Sequence, residues 1–340
     1  MNNEPDTKPH PPAASRASRW VQLADRSRVV EFVDSCLRGC AQVIFQNNAF
    51  TGVLFFLAIA WGAHAEGYPD VAIGAVLATV VGTGSAYLFG LDRESLRSGL
   101  YGYSSTLIGV ALPTFLSPTP TMWVCLVFGA VVCPLFTLTL ARILKTWRVA
   151  ALTAPFVFTT WFILLGVNSF SDIHGAKLPM PHLPHPLDAS RMDSLTPVGF
   201  LSAGLYGIGQ VFLLPNLISG ALILVGLAVS SAWALAFAIF GSLLGLGAAQ
   251  FLGAGPLLIH GGLYSFCSVL TAVALGDTFN RPGWRVLGYT VIGVLFTVII
   301  QGALSAVLSP FGLPILTMPF VLASWLFLVS DQQPLPEHHQ

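Results

Sequence analysis

Three segments of this sequence occur twice, and each second copy lies about 164 residues after the first. Three pairs of segments match in the same order, at offsets of 163 to 168 residues: Gln42-Val-Ile-Phe and Gln210-Val-Phe-Leu, Gly99-Leu-Tyr-Gly-Tyr-Ser-Ser-Thr-Leu and Gly262-Leu-Tyr-Ser-Phe-Cys-Ser-Val-Leu, Leu152-Thr-Ala-Pro-Phe and Leu316-Thr-Met-Pro-Phe. Matches in one order predict the duplication of a whole half-molecule. The fold must therefore contain two similar halves.

The composition is that of a membrane protein. Apolar residues make up 54% of the chain and charged residues 9%, against roughly 25% charged in soluble domains. A helix needs about 20 residues to cross a bilayer. The apolar stretches predict an all-α polytopic membrane protein with ten transmembrane helices, near 33–46, 49–66, 71–90, 121–144, 149–168, 198–214, 216–231, 233–252, 286–309 and 312–330.

Two further segments, 99–115 and 262–276, are short and rich in glycine and small polar residues. Such segments are typical of re-entrant half-helices, which enter the bilayer and turn back. A weakly hydrophobic helix of full length is the alternative at both places.

Five crossings per repeat are an odd number, so the second repeat is predicted to be inverted relative to the first. With a cytoplasmic N-terminus, eleven basic residues fall inside and four outside, in agreement with the positive-inside rule. The inside group is Lys8, Arg16, Arg19, Arg26, Arg28, Arg38, Arg142, Lys145, Arg148, Arg281 and Arg285, and the outside group is Arg93, Arg97, Lys177 and Arg191. We expect a multi-pass protein of the plasma (bacterial inner) membrane with both termini cytoplasmic.

The predicted domains are a polar cytoplasmic arm, the first repeat, a polar linker, the second repeat and a C-terminal tail, at 1–28, 29–170, 171–196, 197–330 and 331–340. The linker carries His174, His182 and His185 among prolines, a pattern more typical of solvated residues than of a metal site. No metal, cofactor or nucleic-acid partner is expected.

Titratable side chains are nearly missing from the predicted mid-membrane positions, and no catalytic or phosphate-binding motif is visible. Ion coupling and intramembrane catalysis generally need such groups. The sequence therefore favours a passive path for a neutral solute over an enzyme.

Several residues at membrane depth occupy equivalent positions in the two repeats. Singly, each is more typical of helix packing, but their recurrence in both repeats favours a shared pathway. The equivalent pairs are Gln42 and Gln210, Thr153 and Thr317, Phe45 and Leu213, Leu100 and Leu263, Tyr103 and Phe266, and Leu107 and Leu270.

On these motifs the chain resembles the channel-type urea transporters, from Arg38 to Trp325. The resemblance implies ten transmembrane helices and two half-spanning helices in inverted repeats, assembled as a homotrimer in the bilayer with one urea pore per subunit.

The resemblance also implies residue roles. Two narrow apolar slots would be lined by Val211, Leu213, Phe266 and Leu270 on one side, and by Val43, Phe45, Tyr103 and Leu107 on the other. Gln42 and Gln210 match positions that present oxygen atoms to the solute, and Thr153 and Thr317 match mid-pore hydroxyls. The chain departs from many relatives in having Gln210 in place of Glu, Tyr103 in place of Phe and Ser104 in place of Asn.

Urea suits such a path because it is planar, with four N–H donors and one carbonyl acceptor. A slot between ring faces admits a flat molecule, and a row of oxygens accepts its N–H groups. Two alternatives stay open. One is a channel for another small neutral solute such as water, ammonia or a short amide, and the other is an ion-coupled secondary transporter.

Overall fold

A computed structural model describes Ala24 and residues 27–184 and 196–330 of the chain. Nearly all of the predicted N-terminal arm, His185 and Arg191 of the linker, and the C-terminal tail lie outside the described residues. Within them the chain is all-helical, as predicted, and its one β feature is an isolated bridge between Leu116 and Gly175.

The helices form two series that match element by element. In the first half they are α1 Arg28–Ala41, α2 Ala49–Ala65, α3 Pro69–Leu88, α4 Arg93–Arg97, α5 Tyr103–Phe115, α6 Pro120–Leu144 and α7 Ala154–Leu165. In the second half they are α8 Pro197–Gly209, α9 Leu217–Ser230, α10 Ala232–Phe251, α11 Pro256–His260, α12 Phe266–Val273, α13 Trp284–Leu308 and α14 Met318–Ser330.

Equivalent helices begin for equivalent reasons. The side chain of Asn48 caps α2 by accepting from the Phe50 N–H at 2.9 Å, and Asn216 caps α9 by accepting from the Ile218 N–H at 3.0 Å. An asparagine at this position pairs an amide that the helix itself leaves unbonded.

Four described helices are long and apolar enough to cross a membrane individually, and they are α3, α6, α10 and α13. Counting each of the bent pairs α1–α2 and α8–α9 as one span raises the number to six; the bends are 73° and 76°. The predicted count of ten is therefore not confirmed. The predicted half-helices are short, since α5 has 13 residues and α12 has 8.

Arg93 and Arg97 lie at the same end of the molecule as Arg28. Their guanidinium groups contact the Glu31 carboxylate, at 3.2 and 3.5 Å, and Glu31 lies near the start of α1 with Arg28. We call this end the first face. The prediction that Arg93 and Arg97 lie opposite Arg28 was wrong.

The error came from treating 33–46 and 49–66 as two crossings. The 20 residues of α3 separate Tyr68 from the first face by about 30 Å of helix, so α1 and α2 together make one bent crossing. The Lys177 ammonium lies 3.2 Å from the centre of the Tyr68 ring. Tyr68 and Lys177 mark the second face.

The prediction that segment 99–115 enters the bilayer and turns back was wrong. Arg97, just before the segment, lies at the first face, whereas the Phe115 carbonyl at its end accepts from the Ala176 N–H at 2.8 Å, beside Lys177 at the second face. The segment therefore crosses between the faces although α5 is short, because the loop before α5 covers part of the distance.

Hydrogen bonds between the halves are reciprocal. The Thr51 hydroxyl donates to the Gly226 carbonyl at 2.9 Å, and the equivalent Ser219 donates to the Ala58 carbonyl at 2.8 Å. A second reciprocal pair involves two indoles: Trp161 donates to the Pro314 carbonyl at 2.8 Å, and Trp325 donates to the Ala150 carbonyl at 3.0 Å. Reciprocal contacts of this kind are typical of two units related by an approximate two-fold rotation.

Candidate functional site

Gln42 and Gln210 occupy the same local structure. Each begins a 3₁₀ turn that continues its helix, and each turn ends at a residue with left-handed backbone, Phe45 at φ 59° and Leu213 at φ 56°. Left-handed backbone is uncommon for such bulky residues and concentrates at functional sites. The chain therefore turns sharply just after each glutamine.

The two amides are oriented by equivalent bonds. Nε2 of Gln42 donates to the Ser98 carbonyl at 3.0 Å, and Nε2 of Gln210 donates to the Gly261 carbonyl at 3.4 Å. A carbonyl can only accept, so each amide must turn its nitrogen toward the loop. The oxygens Oε1 are the ends left to bind something else.

The loops that hold these amides need glycine. Gly99 and Gly262 have φ of 79° and 69°, and a Cβ on either would lie 2.3 Å from a backbone nitrogen of the packed helix, that of Gly39 or Gly207. The repeated Gly-Leu-Tyr motif is thus explained by backbone conformation and close packing.

A second pair of left-handed residues, Leu152 at φ 51° and Leu316 at φ 50°, precedes the two threonines. The two Leu carbonyls are bonded by different side chains. The Tyr103 hydroxyl donates to the Leu152 carbonyl at 2.5 Å, and the Cys267 thiol donates to the Leu316 carbonyl at 3.6 Å. The extra hydroxyl of Tyr103 therefore has a partner.

The two threonines meet. Thr153 and Thr317 are 2% and 3% exposed, and their hydroxyl oxygens lie 2.6 Å apart. One hydroxyl donates to the other, which leaves one hydrogen and several lone pairs on the pair. The equivalent positions of the two halves thus come together in the centre of the molecule.

A cavity of about 430 Å³ opens beside the linker at the second face, where Pro179 and His182 line it. We call it the second mouth. It brings together four of the predicted residues, Gln210, Leu213, Leu263 and Phe266. Val211 and Leu270 do not line it and are buried in the core, as are Val43 and Leu107 of the first half.

The first mouth is a charged cavity of about 550 Å³ at the first face. Its lining includes Arg38, Asn47, Arg93 and Ser98, whose carbonyl holds Gln42. Leu100 is 40% exposed in the loop that follows Ser98.

The Phe45 ring lies between the two halves. Its centre is 5.8 Å from that of Phe279 and 5.9 Å from that of Phe320, both in edge-to-face geometry.

Known proteins share this sequence pattern over almost the whole chain. The family model described as urea transporter matches residues 33–332. This chain belongs to the urea transporter family. Urea transporter 1 of Ovis aries and of Capra hircus are each 30% identical to it over 313 residues, covering 90% of this chain and 79% of the relative. Urea transporter 1 of Rattus norvegicus is 30% identical over 311 residues.

Membership of this family makes the chain a membrane transport protein rather than an enzyme, and its apolar helices agree with a membrane location. The parts of the chain that the structure describes contain no group of three His, Cys, Asp or Glu side chains able to hold a metal.

Sequence reasoning missed Gln301. Gln301 lies on α13, lines the second mouth and is 2% exposed. A sequence signal existed, because Gln301 is an amide inside a long apolar helix. The prediction relied on residues that recur in both halves, and Gln301 has no amide equivalent in the first half, where Thr137 occupies the matching position.

Proposed function

We propose that this protein is a passive channel for urea, with a path that runs between its two halves. The observation that carries the proposal is the arrangement of Gln42 and Gln210. Each amide nitrogen is held by a backbone carbonyl beside a mouth of the molecule. Membership of the urea transporter family supports urea as the solute.

The amide oxygens suit the chemistry of urea. Urea loses water when it enters a narrow path, and its N–H donors then need acceptors. Neutral amide oxygens bind N–H groups without the strong hold of a charge, which lets the solute leave again. The shared bond of Thr153 and Thr317 offers both lone pairs and a hydroxyl hydrogen midway along the path.

The apolar residues select for shape in this proposal. Leu213, Leu263 and Phe266 form one slot at the second mouth, with Val211 and Leu270 packed behind them. Phe45, Tyr103, Leu100, Val43 and Leu107 form the matching slot of the first half. Such walls exclude hydrated ions because nothing there repays the cost of removing their water.

Passive transport is supported by where the buried charges lie. Among the described residues the buried carboxylates are Glu31 and Asp34, which are paired with Arg93 and Arg38. Both pairs lie at the first face rather than in the interior, where a coupling ion would have to bind.

The two repeats, 29–170 and 197–330, are inverted in this proposal, and the segment that contains α5 is itself one of the crossings of the first repeat. The first half begins at the first face with Arg28 and ends at the second face near Lys177. A half that starts and ends on opposite faces makes an odd number of crossings, so its copy runs in the opposite direction. The first face is cytoplasmic, and it now carries Arg93 and Arg97 in addition to Arg28.

The resemblance to channel-type urea transporters further implies ten transmembrane helices, a homotrimer with one pore per subunit, and a plasma-membrane location with both termini cytoplasmic. Chemical crosslinking of the purified protein tests the trimer.

Flux in liposomes tests the function. We expect the reconstituted protein to carry labelled urea down its gradient in either direction, and faster than water or ammonia. An imposed pH or Na⁺ gradient should produce no accumulation. Gln210→Met should slow urea, whereas Gln250→Met, the same change outside the second mouth, should leave the flux unchanged. Urea accumulation driven by an ion gradient would overturn the proposal.

A further inference from the structure

Gln301 carries a feature that the symmetric residues do not explain. Its Nε2 donates to the Leu263 carbonyl. Its Oε1 is buried and has no hydrogen-bond partner among the described residues. A buried carbonyl oxygen without a partner destabilises a protein, so this position is kept at a cost that a partner would offset.

The environment of Gln301 matches that of Gln210. Both side chains line the second mouth, and both nitrogens are bonded to carbonyls of one short loop, those of Gly261 and Leu263. Because those carbonyls can only accept, both amides are fixed with their oxygens as the free ends. The wall of one cavity therefore holds two amides in the same orientation, and the Gln301 oxygen is buried in that wall.

The first half has no such second amide. The residue equivalent to Gln301 is Thr137, whose hydroxyl donates to the Cys133 carbonyl of its own helix at 3.0 Å. A hydroxyl bonded in this way within its own helix is satisfied without a solute. The two mouths therefore differ in the number of acceptors that they offer.

We propose that Gln301 is a further solute-binding residue, which accepts an N–H of urea together with Gln210 at the second mouth; this inference rests on the proposed function. Urea has two NH₂ groups, so it can donate to both glutamines at once. Formamide has only one NH₂ group, so it offers fewer N–H donors to the two glutamines. Gln301 thus contributes to the preference for urea over solutes with fewer N–H donors.

The test compares half-saturating concentrations for urea and formamide in exchange measurements with reconstituted protein. The main variant is Gln301→Thr, since threonine is the residue that the first half uses at this position and can bond the Thr297 carbonyl one turn earlier. For this variant we expect the half-saturating concentration to increase about tenfold for urea and less than about threefold for formamide. The matched control is Thr137→Val, for which we expect both values to stay unchanged.

Three outcomes would overturn the inference. They are unchanged half-saturation for urea, an equal increase for both solutes, which would mean that Gln301 only positions the Leu263 loop, and an equal effect of Thr137→Val. Gln301→Met provides the same comparison if the threonine variant does not fold. Failure of the proposed function is a separate result, because the unaltered protein would then carry no more urea than empty liposomes.

Discussion

The two halves support the same backbone carbonyl with different side chains. In the first half Tyr103 reaches the Leu152 carbonyl, while in the second half the smaller Cys267 bonds the Leu316 carbonyl and Phe266 stands without a hydroxyl. Cys267 is the equivalent of Ser104, whose hydroxyl is buried and has no hydrogen-bond partner in the described residues. Each of the two Leu carbonyls therefore accepts from a buried side chain, and the position of the donor differs by one residue between the halves.

The mouths differ in the same way. The first mouth is lined by paired charges, and one glutamine, Gln42, is bonded to the Ser98 carbonyl in its lining. The second mouth is mainly apolar and is lined by two glutamines. Both halves share the same backbone arrangement, and the two mouths differ because the side chains that line them differ. The largest mutational effects should therefore come from the shared backbone and the smaller ones from the side chains that differ.

The glycines of the repeated motif should give the largest effect. Gly99→Ala and Gly262→Ala each force a Cβ to within 2.3 Å of a packed backbone nitrogen at positive φ. We expect a loss of roughly 2–4 kcal/mol from backbone strain and overpacking, seen as a lower melting temperature in detergent. Gly67→Ala is the control, because Gly67 also has positive φ, 77°, but no atom within 4 Å. Equal losses at Gly67 and Gly99 would contradict the packing argument.

Tyr103→Phe should have the next largest effect, since it leaves the Leu152 carbonyl buried without its donor. We expect about 1–3 kcal/mol of destabilisation. The double variant Tyr103→Phe with Ser104→Cys copies the arrangement of the second half and should regain part of the loss. A double variant no more stable than Tyr103→Phe alone would break the comparison between the two carbonyls.

The reciprocal indole bonds predict a smaller and paired effect. Trp161→Phe and Trp325→Phe each remove one hydrogen bond between the halves, which is worth about 1 kcal/mol. The Trp325 bond is the more exposed of the two, so its loss should cost slightly less. Melting temperatures that fall for one variant and stay constant for the other would argue against a two-fold relation at this contact.

The sequence identified positions that are structurally equivalent in the two halves, and the roles of these residues in transport stay predictions. The path of the chain was predicted less well. Gln42 and Gln210, and also Thr153 and Thr317, could be paired because the segments that contain them are similar in sequence. The bend between α1 and α2 was missed, since two apolar stretches read the same whether they cross separately or as one bent span. That error put Arg93 on the wrong face.

Gln301 was missed for the opposite reason, because it breaks the repeat. The left-handed conformations of Leu152 and Leu316 also have no signal in the sequence, where leucine gives no hint of positive φ. Features that both halves share were predictable, and features that follow from three-dimensional packing or from one half alone were not.

The meeting of Thr153 and Thr317 is the most direct test of a path between the halves. Urea flux and melting temperature should be measured on the same preparations of Thr153→Val, Thr317→Val and the double variant. Each single change removes one oxygen from the path, so we expect urea flux to fall roughly tenfold, which corresponds to about 1.4 kcal/mol in the barrier. The double variant should lose less than the product of the two, because the hydroxyls share one bond. Full urea flux with a lowered melting temperature would contradict the account, since the threonines would then only hold the halves together.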